Sequence, residues 1–429
     1  MTHSSRLDRQ AVESLQLAQL QQLLQAILDS NAFYSRKLAT AGVMAPIGAI
    51  LEFQDKVPFT TKEDIVEDQL QTPPYGTNLT YPLERYVRLS QTSGTTREPI
   101  RWLDTPESWD WMVDNWKLVF QKAGLATQDR VFFAFSFAPF LGFWTAFDAA
   151  VRLGCLCIPA GGLSSSARLS TMMDNGATVL CCTPTYAVRL AEVAAKEQVA
   201  LRDGQVRLVI VAGEPGGSIP STRARIEALW PKARVADHHG MTEIGPVTYE
   251  CPKRPTVLHV IESAFIPEVV HPRGGTAVER GEVGELVLTN LGRTGSPLLR
   301  YRTGDLVKTS LLQPCECGSW EMALEGGILG RADDMVMVRG VNIYPSALES
   351  IVRSFADVSE YRVEIHARKT LPELILQVEP SKDCRDPAQL AEQLEAAMQS
   401  AFALRVPVAI CPSGTLPRFE MKAKRWVRI

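Results

Sequence analysis

Apolar residues recur at three- and four-residue intervals near the start of the chain. Leu15, Leu17, Leu20, Leu23, Leu24, Ile27 and Leu28 form one stripe, which predicts a helix over residues 7–40. A second amphipathic helix is predicted over 109–120, after the turn around Pro106. From Arg130 the pattern changes to short apolar runs at 131–135, 156–159, 178–182 and 206–212, with helical stretches such as 186–197 and 221–229 among them. Buried-type strands alternating with helices predict a mainly parallel sheet covered on both faces. A strand at 285–288, in the glycine-flanked stretch 281–289, opens a more β-rich region.

A boundary is expected at Gly330-Arg331-Ala332-Asp333-Asp334, dividing a domain of residues 1–332 from one of 333–429. Beyond it the pattern is that of a small α+β domain. It predicts a strand at 335–338, a helix at 345–355, a strand pair at 361–367 and 374–378, and a last strand at 406–410. Asp386 caps a further helix with Pro387 in its first turn, and Leu390, Leu394, Met398 and Ala401 or Phe402 share its apolar face. The expected class is α/β: a large N-terminal domain with mainly parallel sheets and a β-rich subdomain, followed by a small α+β domain.

Composition narrows the function classes. Of 429 residues, 45% are apolar and 22% charged, which excludes a disordered or disulfide-stapled chain. With 45 basic and 48 acidic residues there is no general attraction to nucleic acid, so any polyanion must be held by a local site. Nine cysteines, an odd number, fit a reducing compartment. Residues 1–10 are polar, and the uncharged stretch 131–147 falls short of the ~20 apolar residues that a membrane span requires. A cytoplasmic protein without a membrane partner is expected.

Three segments stand out chemically. Thr92-Ser93-Gly94-Thr95-Thr96-Arg97-Glu98-Pro99 follows the strand-like run 86–89. Hydroxyls and exposed backbone N–H groups around a glycine suit a phosphate-holding loop, although a solvated turn has the same composition. The chain has no Gly-Lys dipeptide, which excludes the usual P-loop. Cys251 and His259, with Cys315 and Cys317 downstream, supply one His and three Cys, a donor set that can close a tetrahedral structural zinc site. Seven of the 15 phenylalanines (Phe132, Phe133, Phe135, Phe137, Phe140, Phe143 and Phe147) crowd one stretch beside Trp144. Core packing accounts for most of them, but such rings also suit an aromatic ligand.

The first segment resembles the phosphate loop of the acyl-adenylate-forming enzymes, and four more segments follow in that superfamily's order. They are His239-Gly240-Met241-Thr242-Glu243, Tyr301-Arg302-Thr303-Gly304-Asp305, Gly330-Arg331-Ala332-Asp333-Asp334 with Arg339-Gly340-Val341-Asn342-Ile343, and Leu416-Pro417-Arg418 with Lys422 and Arg425. Pro58-Phe59-Thr60-Thr61-Lys62-Glu63-Asp64, Gly213-Glu214-Pro215 and Asn342-Ile343-Tyr344-Pro345 look like the phenylacetate–CoA ligase branch. The resemblance covers roughly residues 50–429.

It implies a carboxylic acid activated by ATP as acyl-AMP, then transferred to the thiol of coenzyme A. Thr92, Ser93, Gly94, Thr95 and Thr96 would hold the β- and γ-phosphates, and Thr242 would contact the α-phosphate. Glu243 would ligate Mg²⁺, a cation that takes oxygen ligands. Asp305 would accept from the ribose hydroxyls. Gly213, Glu214, Pro215, Asp237, His238, His239 and Arg331 would complete the nucleotide site. Lys422 would bridge the attacking carboxylate and the α-phosphate. Asp333 would be the hinge of a mobile C-terminal lid, and Gly340 would border the pantetheine tunnel. Phe137, Ala138, Phe140 and Phe143, with Gly213, His238 and Gly240, would line the acyl pocket and favour a benzoate-, anthranilate- or phenylacetate-type acid. Two positions depart from the pattern: Arg97 and Met421 stand where glycine is usual. The alternatives are an enzyme loading a carrier-protein phosphopantetheine, and a catalytically idle carboxylate- or nucleotide-binding protein. A downstream acyltransferase partner and a monomeric or homodimeric state are compatible with either ligase reading.

Overall fold

The computed structural model describes residues 8–43, 46–92, 99–338, 341–366, 373–419 and 423–429. Ser93 to Glu98, Arg339, Gly340, Met421 and Lys422, all named above, lie outside the described residues.

The predicted helix over 7–40 is two helices, Arg9–Ile27 and Ala32–Thr40. The break is chemical. Asn31 is buried, accepts from the Tyr34 N–H at 3.1 Å as a helix cap, and donates to Asn78 at 3.0 Å and Thr80 at 3.2 Å. Leu20, Leu23, Leu24 and Ile27 do form a buried stripe, packed into the main core with Phe33, Tyr34 and Leu38 of the second helix.

The parallel sheet is present, in the order 156–159, 130–133, 179–182, 208–211, 234–237. Its strands are four residues each and its central pairs are in register, with Val131 opposite Val179 and Val179 opposite Leu208. Helices Pro184–Lys196 and Pro220–Leu229 lie between successive strands, each with proline in its first turn. The two faces bury different cores. Phe133, Cys181 and Ile210 join the main one, whereas Phe132, Leu180 and Val209 join a second with Leu190 and Trp230. Strict alternation of facing along each strand produces this division.

The β-rich region is antiparallel. Strands Phe265–Val270, Val283–Asn290, Tyr301–Lys308 and Gly330–Arg331 pair in chain order. A neighbouring sheet pairs Thr248–Glu250, Val257–Val260 and Ala323–Glu325. The C-terminal segment has its own core, which gathers Ile343, Leu348, Val363, Leu376, Leu394 and Met398. Its four-stranded sheet runs 408–410, 373–380, 358–366, 426–428. Helix Pro387–Phe402 is capped as expected, Asp386 accepting from the Gln389 N–H at 3.0 Å. No described helix is long and apolar enough to cross a membrane.

Candidate active site

Three loops leave the carboxyl ends of strands in the parallel sheet, the edge where open α/β sheets hold ligands. The loop after Phe133 carries the aromatic run. The loop after Val211 carries Gly213, Glu214 and Pro215, with Gly213 at φ +95°, a backbone region that glycine enters freely. The loop after Asp237 carries His238 and His239 and is tied to its neighbour, His238 N–H donating to Val211 O at 3.0 Å. The hairpin 88–104 closes the fourth side. Gln91 N–H donates to Pro139 O at 2.5 Å, and Thr92 holds the loop's mouth through both backbone and hydroxyl contacts to Ile100 at 2.9 and 3.1 Å.

The pair Asp237 and His238 is buried. Burial pushes the Asp237 carboxyl up to about 6, although it accepts from the Ser218 hydroxyl at 2.5 Å and the His238 N–H at 3.0 Å. Burial pulls His238 down to about 3, so the ring is neutral near pH 7. Its Nδ1–H donates to Thr248 O at 2.6 Å, which leaves Nε2 as an acceptor, and the ring lies 4.2 Å from Trp116 between centroids. Gly240 is needed here: a Cβ would come within 2.8 Å of Gly245 O and 3.1 Å of His238 Nε2.

Asp305 is 4% exposed, and one of its oxygens is orphaned. Oδ1 accepts from Arg331 Nη1 at 3.3 Å. Oδ2 stands 3.2 Å from His239 Nε2, but the pair is misaligned and both atoms are buried without a hydrogen-bond partner. A buried, unpaired carboxylate oxygen is costly unless a donor arrives. Arg331 also clasps Asp333 at 2.9 and 3.2 Å, linking the expected hinge to the Asp305 site. Glu243 is buried, and no described group pairs with its carboxylate. Burial first and Glu243 next hold the buried Tyr301 hydroxyl well above its usual pKa, with Asp305 adding to the rise and Arg331 opposing it.

The expected aromatic pocket residues are differently placed. Phe137 and Phe140 are half-buried and both edge onto Phe135, at 4.9 and 5.6 Å. Phe143 is buried against Trp116 and Phe135, at 5.8 and 5.4 Å, as a core residue would be. The Ala138 carbonyl accepts from the Trp144 indole at 3.1 Å.

Two contributors, Arg293 and Asp104, were not foreseen. Arg293 is fully buried and forked onto Asp104 at 2.6 and 2.7 Å. Its remaining nitrogen donates to the carbonyls of Thr242 and Glu243 at 2.7 and 2.9 Å, binding that pair to the strand that ends at Asp104. Glu214 does not leave its carboxylate open. One oxygen accepts from the Thr185 N–H at 2.9 Å and the other from the Ala423 N–H at 2.8 Å. Asp104 and Arg293 lie almost 190 residues apart, and no local pattern joins them.

Away from this edge, Cys251, His259, Cys315 and Cys317 converge, their donor atoms all within 4.8 Å of one another. His259 Nδ1 contacts Glu321 O at 3.3 Å, which directs Nε2 toward Cys317 Sγ at 3.4 Å.

The AMP-binding enzyme family matches residues 84–292, and the AMP-binding enzyme C-terminal domain matches residues 340–428. Phenylacetate-coenzyme A ligase of Thermus thermophilus is 30% identical over 96% of this chain and 95% of its own length. The Escherichia coli ligase of that name is also 30% identical, over 97% and 95%. The chain belongs to the AMP-binding, acyl-adenylate-forming enzymes. Among solved structures of similar proteins is 2-hydroxyisobutyryl-CoA ligase, 26% identical, in the postadenylation state with an acyl-AMP. It superposes with a TM-score of 0.93, covering 100% of this chain and 94% of that one. The same ligase in the thioesterification state with 2-HIB-AMP and CoA scores 0.74 at 27% identity, covering 99% and 91%.

Proposed function

We propose that this protein is an aryl-CoA ligase, which activates a ring-bearing carboxylic acid with ATP and passes the acyl group to coenzyme A. The ATP-dependent activation and the thiol transfer are the chemistry of its family. The aromatic acid is our reading, supported by the half-buried rings of Phe137 and Phe140 at the mouth of the site.

A carboxylate oxygen attacks the α-phosphorus of ATP, the bond to the bridging oxygen breaks, and pyrophosphate leaves. Positioning and charge stabilisation do most of the catalytic work in such displacements. The observation that carries the site assignment is the orphaned Asp305 oxygen. Ribose hydroxyls would supply the donors it lacks. Glu243, buried and without a described partner, fits a hard cation, and we assign it the Mg²⁺ that would neutralise phosphate charge. Thr242 stands beside it on the backbone that Arg293 fixes. Lys422 precedes Ala423, which Glu214 holds at this edge, and is assigned the growing charge between carboxylate and phosphate. Neutral His238 offers an acceptor and an apolar face to the acid rather than a second positive charge.

We further infer that Asp333 divides body from lid, and that the lid here stands as in the relative's postadenylation state, which fits better than its thioesterification state. The thiol then attacks the acyl carbon and AMP departs, with Gly340 beside its path. The Cys/His cluster fits a structural zinc ion by donor type and convergence, with Glu321 O orienting His259. The nine cysteines are all unpaired, in keeping with a cytoplasmic enzyme.

A panel of aromatic and aliphatic acids, assayed for pyrophosphate release and for product with CoA or a holo-carrier protein, tests the proposal. Acyl-CoA from an aryl acid is expected. Preference for a short aliphatic acid, or product on the carrier alone, contradicts it.

A further inference from the structure

Glu214 lies in the nucleotide-type loop after Val211, where a direct contact to nucleotide would be expected of it. Its geometry indicates another task. Oε1 is anchored in the body by the Thr185 N–H, in the first turn of helix Pro184–Lys196, where a carboxylate is favoured by the unpaired N–H groups and the helix dipole. Oε2 reaches the opposite way and accepts from the Ala423 N–H at 2.8 Å. Ala423 is the residue after Lys422. The same first turn receives the tail a second time, since Arg425 approaches the Thr185 hydroxyl at 3.5 Å. Arg425 is held in turn by Glu360 of the lid at 2.8 and 3.3 Å. A single side chain of the body therefore grips the backbone next to the lysine in this lid position.

We propose that Glu214 is a positioning residue for the first half-reaction, a latch on the Ala423 backbone that fixes the tail carrying Lys422 in this lid position and lets go when the lid turns for thiol transfer. The inference rests on the ligase reading above. A latch acts in one lid position only, so the two half-reactions should respond differently to its loss. A nucleotide ligand would instead change ATP affinity, and a residue needed for folding would depress both steps.

The test uses the full-length enzyme with Glu214→Ala and Glu214→Gln. The first half-reaction is followed as acid-dependent exchange of labelled pyrophosphate into ATP, the second as thioester formation from supplied acyl-AMP and CoA. For Glu214→Ala we expect exchange kcat to fall 10-fold or more, with the KM for ATP within twofold and the second step within twofold of wild type. Glu214→Gln retains one acceptor oxygen and should fall between them. Equal losses in both steps, a loss confined to ATP KM, or unchanged exchange would each overturn the latch. If wild type itself shows no acid-dependent exchange, it is the ligase reading that fails.

Discussion

Asp305 bears the most specific burden at the residue scale. It is buried and keeps one oxygen unsatisfied, and charge-assisted hydrogen bonds to bound hydroxyls are worth roughly 1.5–3 kcal/mol. Asp305→Asn should therefore raise the KM for ATP roughly 10- to 100-fold, with a smaller change in the KM for the acid. Steady-state kinetics with each substrate varied checks the split, and a selective rise in the acid KM would contradict it. Arg293 makes the second prediction. Arg293→Met strands the buried Asp104 carboxylate and should cost roughly 3–5 kcal/mol in denaturant unfolding. Pairing it with Asp104→Leu should recover much of that loss. Arg293→Lys keeps the charge but not the fork, so the Thr242 and Glu243 carbonyls lose their common donor. Its expected signature is a folded enzyme with slower acyl-AMP formation.

Elements were legible where the apolar period was clean. The buried runs of the parallel sheet, the Asp386 cap and the lid helices needed only local pattern. The first helix was not, because apolar residues continue past Asn31 at Phe33, Tyr34 and Leu38, and although its capping bond to the Tyr34 N–H is local, its burial rests on the tertiary partners Asn78 and Thr80. Motif residues such as Asp305 and Glu243 were legible as types in order. Arg293 and the grip of Glu214 were not, since each depends on a partner more than 180 positions away. The lid sheet carries a pH prediction. Burial alone would raise the Glu360 carboxyl, but Arg425 and Arg353 outweigh it and bring it down to about 2. The folded lid thus binds fewer protons than the unfolded one between about pH 4.5 and pH 2. That stability is fully present above the upper limit and is lost as pH falls through this window, on the order of 3 kcal/mol in all. Acid titration followed by lid-tryptophan fluorescence, from Trp426, should show the loss. Glu360→Gln should flatten it, and an unchanged profile would contradict the assignment.

At the scale of the whole molecule, the chain has a body with two cores on one sheet and a separately cored C-terminal segment, which the proposed function casts as the substrate platform and the lid that brings cationic residues to it. The Cys/His cluster gathers Cys251, just past one strand of the body, His259 in the next strand, and the loop at Cys315 and Cys317. Elemental analysis should find one zinc per chain. Chelation should lower the melting temperature while leaving turnover intact below it, and loss of turnover in still-folded enzyme would place the metal in the chemistry instead. The most direct test of the account is a single turnover in two stages. Enzyme, Mg-ATP and the preferred aromatic acid are mixed without CoA, and CoA is added afterwards. The account predicts about one equivalent of acyl-AMP and pyrophosphate per chain in the first stage, with conversion to acyl-CoA and AMP in the second. Lys422→Ala should abolish the first stage and spare the second when acyl-AMP is supplied. Acyl-CoA formed without an adenylate, or an unimpaired first stage in Lys422→Ala, would contradict it.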